Sequence, residues 1–111
     1  MAKYEEKLIG DFDAILTRLD EDIINSGISM NLVDECNYRI SDTKIAVRVY
    51  DKYFMRNSSR ASLSLTVVSN GDETYISAIG AGGGQGVIFN FSLGAESEMV
   101  SVVQDSVRRM C

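Results

Sequence analysis

Apolar residues recur along this chain with two different periods, and the change of period outlines the fold. Phe12, Ile15, Leu16, Leu19 and Ile23 are spaced by three and four, with Asp13, Arg18, Asp20, Glu21 and Asp22 between them. That spacing predicts an amphipathic helix with one apolar stripe. Asp11 stands where an N-cap belongs, and Gly27 where a helix stop belongs. Ahead of the helix, Tyr4–Ile9 reads as a short strand.

From Met30 the period drops to two. Met30, Leu32, Cys36, Tyr38 and Ile40 alternate with polar residues, and Asp34 interrupts the apolar side once. Ser41-Asp42 reads as a tight turn. Ile45, Val47 and Val49 then alternate with Lys44, Ala46 and Arg48, and Ala61, Leu63, Leu65 and Val67 with Ser62, Ser64 and Thr66. Asn70-Gly71 is a strong hairpin signal, because both residues tolerate positive φ. Tyr75–Ile79 is the next strand, and Val87, Phe89 and Phe91 mark another. Alternation fails around Tyr50, Tyr53, Phe54 and Met55, which predicts a β-bulge there. The helical period returns in Met99, Val100, Val103, Val107 and Met110. Glu96 and Glu98 in its first turn and Arg108 and Arg109 in its last suit the helix dipole.

Clean alternation gives each strand one dry and one wet face. The pattern predicts a single α+β domain over residues 1–111. Its antiparallel sheet has five to six strands with two helices on one face, in the order β-α-β-β-β-β-β-α. The uncovered face is expected to be rich in Ser, Thr, Asn, Lys and Arg, open to water, a ligand or a partner.

Composition narrows the function. The net charge of −5 lacks the basic surface that binding to nucleic acid requires. No apolar run is long enough for a membrane span, and the N-terminus does not read as a signal peptide. Cys36 and Cys111 make no disulfide framework, so a cytoplasmic protein with reduced thiols is expected. Cys36, on the apolar side of its strand, is expected to be inert. Histidine is absent, which removes the commonest general base and metal ligand. No cofactor or metal is expected, and no catalytic residue is assigned.

Two stretches could hold a ligand. Asp51–Ser62 gathers Lys52, Arg56 and Arg60 with Tyr53, Asn57, Ser58 and Ser59. Guanidinium groups beside hydroxyl and amide donors suit a phosphate or carboxylate. The same residues also make an ordinary polar hairpin loop, and that reading carries more weight. The second stretch holds Gly80, Gly82, Gly83, Gly84, Gln85 and Gly86. It lacks the lysine, the hydroxyl and the following helix of a phosphate loop. Glycines between two strands point first to a bend, or to a place where another backbone or a ligand comes close. A lesser reading has the bare amides and Gln85 meeting a ligand held by Arg56 or Arg60.

Tyr50–Leu65, YDKYFMRNSSRASLSL, and Ala78–Glu96, AIGAGGGQGVIFNFSLGAE, resemble the bacterial family catalogued as domain of unknown function 6054. The resemblance extends over nearly the whole chain. It implies a small, one-domain cytosolic protein and carries over no catalytic residue. The leading expectation is a non-enzymatic module that binds a partner or a small anionic ligand, with homodimerisation through a sheet face or edge. The alternative is an enzyme acting on a small anionic substrate, with Arg56, Arg60 and Lys52 holding charge and Tyr53 or Gln85 donating hydrogen bonds. A purely structural homo-oligomer is the third reading.

Overall fold

The computed structural model describes residues 2–55, 58–82 and 93–110. Among them are five strands and two helices: β1 (Ala2–Ile9), α1 (Phe12–Ile24), β2 (Met30–Ile40), β3 (Thr43–Phe54), β4 (Ser59–Asn70), β5 (Glu73–Gly82) and α2 (Leu93–Met110). The strand expected at Val87–Phe91 lies outside the described residues. The sheet is wholly antiparallel, in the order β1-β5-β4-β3-β2. Strands β2 to β5 form a meander of hairpins. β1 docks on the far side of β5, and α1 carries the chain from that edge of the sheet to the other.

Both helices lie on the same face, as the two apolar stripes require. Ile15, Leu19 and Ile23 of α1 meet Met99, Val103 and Val107 of α2 over Ala46, Tyr50, Leu63, Leu65, Val67, Ile76 and Ala78 of the sheet. Each fully buried aliphatic side chain in this layer stabilises by about 1.5–3 kcal/mol. Asp11 caps α1, its Oδ2 accepting from the Ala14 amide at 2.9 Å. The helix stops at Asn25 with φ −86°, two residues short of the glycine expected to end it. Ser26 accounts for the early stop, since its hydroxyl donates to the Ile23 carbonyl at 2.6 Å.

Polar contacts pin the helices to the sheet and to each other. The Tyr50 hydroxyl, rising from the sheet, donates to Asp20 at 2.5 Å. Burial, reinforced by that hydrogen bond, pushes the phenol far above its usual range. Asp22 accepts from Ser106 at 2.6 Å and from Arg109 and Arg18, each at 3.2 Å. The Ser106 bond foremost, helped by the two guanidiniums, holds Asp22 below the ordinary carboxylate range.

Two expectations about the strands change. β3 runs unbroken from Thr43 to Phe54, so there is no bulge at Tyr50–Met55. The irregularity lies in β2, where the register shifts between Leu32 and Asp34 and Val33 is the extra residue. Met30 and Leu32 therefore face the helices, whereas Cys36, Tyr38 and Ile40 face away from them. The hairpin loop after β4 is Gly71-Asp72, one residue later than expected, with Asn70 paired to Glu73.

Candidate functional site

Residues directly opposite one another in an antiparallel pair share a face, so the register assigns every side chain of the uncovered surface. One row runs Tyr38, Ile45, Val68, Tyr75 across β2, β3, β4 and β5. The next runs Cys36, Val47, Thr66, Ser77, and a third Asp34, Val49, Ser64, Ile79. β1 completes these rows with Lys7, Glu5 and Lys3 in turn.

This face carries the polar residues that alternation suggests, among them Ser64, Thr66, Ser77, Lys3 and Lys7, but apolar ones as well. Alternation places Ile45, Val47 and Val49 beneath the helices. Ala46 and Tyr50 lie there instead, each 0% exposed. Tyr50 and Phe54 are the large groups of β3 and share parity with Ala46, and their demand for cover decides which side faces the helices. The three β-branched residues are left on the uncovered face. Tyr38 and Ile40 are 64% and 65% exposed, Tyr75 and Ile79 38% and 39%. β2 is exposed along its whole length after Met30. Cys36 is exposed, which corrects its expected place on a covered apolar side.

Polar groups rim the apolar rows at both ends. Toward the β3–β4 loop, Arg60 pairs with Asp51 at 3.2 Å and lies over the Tyr53 ring at 5.8 Å. At the other end are Asn70 and Glu73, with Lys7 3.9 Å from Glu73. A hydrogen bond to Glu5 raises the Tyr75 phenol above its usual value. Apolar rows with polar groups both among them (Ser64, Thr66 and Ser77 in the middle of the face) and around them match the mixed composition of protein–protein contact surfaces. The signal was present in β3: Ile45, Val47 and Val49 alternate with Ala46, Tyr50 and Phe54, so both sides of that strand carry apolar groups.

The residues suggested for an anionic ligand are divided by the sheet. Tyr53 and Arg60 lie on the uncovered face. Lys52 lies on the helix side, its ammonium 4.8 Å from the Phe54 ring centre and close to Gly27. Ser59 pairs with Phe54 at the start of β4. Arg56, Asn57 and Gln85 lie outside the described residues. The structure thus puts Lys52 and Arg60 on opposite faces and gives Arg60 a carboxylate partner.

Gly80 and Gly82 belong to β5, not to a bend, and pair with Leu63 and Ala61. A Cβ on Gly80 would lie 2.6 Å from the Glu96 carbonyl oxygen and 3.0 Å from Val100 Cγ2. Its bareness is what lets α2 settle on the sheet. Gly83, Gly84 and Gly86 lie outside the described residues. Arg48, on the helix side, is nearly buried and held by Glu35 at 3.0 Å and Asn37 at 3.0 Å, with the Cys36 carbonyl at 3.4 Å. Among the described residues no group of three His, Cys, Asp or Glu side chains is placed to hold a metal ion.

Two helices on one face of a five-stranded antiparallel sheet, with apolar rows on the other, define a small α+β domain that presents a sheet surface. No helix among the described residues is long and apolar enough to cross a membrane. A family profile matches residues 1–111, the whole chain, and this protein belongs to that family, described as Family of unknown function (DUF6054). No curated protein matches it.

Proposed function

We propose that this protein is a non-enzymatic partner-binding module whose working surface is the uncovered face of the sheet. The observation that carries the reading is the row Tyr38–Ile45–Val68–Tyr75, which spans four strands with no layer above it among the described residues. Exposed apolar patches of a few hundred Å² or more, rimmed by polar groups, mark interaction surfaces. Arg60 supports the same reading over anion binding, because Asp51 already neutralises it.

Cys36 lies in the middle row and reports directly on cover. In a Cys111→Ser variant it is the sole thiol. Its maleimide labelling in intact cells is expected to be about tenfold slower than in dilute purified protein, as mass action requires of a mostly occupied surface. A control cysteine at Glu21, placed on the exposed side of α1 in a Cys36→Ser, Cys111→Ser background, corrects for the cellular milieu. Equal corrected rates in the two settings overturn the reading.

A further inference from the structure

Resting on that reading, we infer that the occupant of the face is a second copy of this chain, docked sheet to sheet about a twofold axis that lies over β4 and runs parallel to the strands.

The order of strands and rows selects this axis. A rotation about it lays β5 over the partner's β3 and β1 over the partner's β2, and each row meets its own copy. Ile45 then faces a second Tyr75, Val49 a second Ile79, and Val68 a second Val68. At the margins Lys3 faces a second Asp34, and Lys7 meets the ring of a second Tyr38, an arrangement that suits a cation over an aromatic face. In these pairs apolar groups meet apolar groups and Lys3 meets an opposite charge, while in the middle row Val47 faces a second Ser77 and Glu5 a second Cys36. The alternative twofold axis, in the same plane but perpendicular to the strands, lays β1 on β1. Glu5 would then face a second Glu5 and Lys3 a second Lys7. Like charges brought together across an interface weaken it, on the order of a hundredfold or more in affinity.

The size is also right. Five strands about 4.8 Å apart and nine residues at about 3.3 Å each give a face of roughly 24 by 30 Å. That is about the 800 Å² per partner that a specific complex buries. Aligned packing of two such faces makes a β-sandwich. It is a closed, isologous arrangement, which ends at two copies.

Charge exchange tests both the occupant and the axis. Lys3 and Asp34 sit on opposite edges of one sheet, about four strand spacings or 19 Å apart, and the pair that Lys3 makes in its own chain, with Glu5 at 3.8 Å, is solvent-exposed and weak, so reversing either charge does little to the fold of a single chain. In the proposed dimer, Lys3→Glu sets carboxylate against carboxylate at both symmetry-related contacts. Asp34→Lys sets ammonium against ammonium at the same two places. Mixing the two variants relieves one of these contacts by pairing the unaltered Lys3 with the unaltered Asp34, and relieves the other by pairing the two introduced charges, which are opposite. Sedimentation equilibrium from about 1 to about 500 µM should find the unaltered protein dimeric. Each single variant should dissociate at least about tenfold more readily. The two mixed, with one carrying a mass tag, should give predominantly heterodimer. Circular dichroism confirms that both variants fold, which their exposed positions favour.

A dimer whose strength and pairing ignore the two charges overturns the axis, and with it this inference. A monomer throughout that range overturns the second copy as occupant. If Cys36 is nonetheless shielded in cells, the face still binds a partner of another kind and the proposed function stands. Should Cys36 be open in cells as well, both fall.

Discussion

Ser41 and Gly71 put the same demand on the backbone. Both open two-residue hairpin loops, with φ +53° and +66°. Glycine adopts such angles without penalty, while a side chain is strained there. Substitutions at the two sites should therefore have opposite signs. Gly71→Ala is expected to cost about 1 kcal/mol, lowering the melting temperature by about 5 °C, and Ser41→Gly to gain about half that. Differential scanning calorimetry on the two variants checks the pair. Gly80 is constrained by space instead of angle. An alanine there must push the α2 backbone from β5, so a loss of about 1–3 kcal/mol is expected in urea unfolding. A melting temperature unchanged by Gly80→Ala would mean that the helix does not sit where it is described.

The contact between α1 and α2 turns on Asp22. Its carboxyl is held below its ordinary value of 3.8 in the folded chain. A group depressed in this way stabilises the fold fully above its unfolded value. That contribution fades as pH falls through 3.8 and on through the lower folded value. Asp22→Asn is therefore expected to cost about 2 kcal/mol at neutral pH, the worth of hydrogen bonds to a charged group. The gap between variant and parent should narrow as pH falls below about 4. Urea midpoints across that range measure it. The helix itself was legible in the sequence, as were its cap at Asp11, the antiparallel meander and the placing of both helices on one side. Each rests on local periodicity or a single capping group. What was not legible depends on partners distant in the chain. Asp20 and Asp22 read as solvated charges until Tyr50 and Ser106 are brought to them. The sidedness of β3 was hidden because both of its faces are apolar, so only the competition for helix cover decides it. The expected bulge was misplaced for the same reason. Tyr50 and Phe54 look out of phase only against a face assignment that the helices do not use. The candidate surface was legible as a sheet face with polar residues, but its apolar rows were not.

At the scale of the molecule, helices cover one side of the sheet and leave a long strand at its margin. Replacing Val68, on the central strand of the uncovered face and on the proposed twofold axis, by lysine should leave the fold intact and abolish association, read as a monomeric mass by light scattering. The margin formed by β2 presents a different hazard, because this strand is eleven residues long and exposed after its first. Val33 interrupts it with an unpaired step. Bulges of this kind twist a strand and spoil it as a template for lateral growth. Deleting Val33 would leave Leu32 opposite Tyr50 and Asp34 opposite Val49, so the display of both faces would survive. What would be lost is the kink that stops one molecule from zipping onto the next. The shortened chain is expected to fold, pass for normal when dilute, and form fibres on prolonged agitation at high concentration, with thioflavin fluorescence rising only for the deletion. One surplus valine would then be what keeps a sticky ribbon from becoming an endless one.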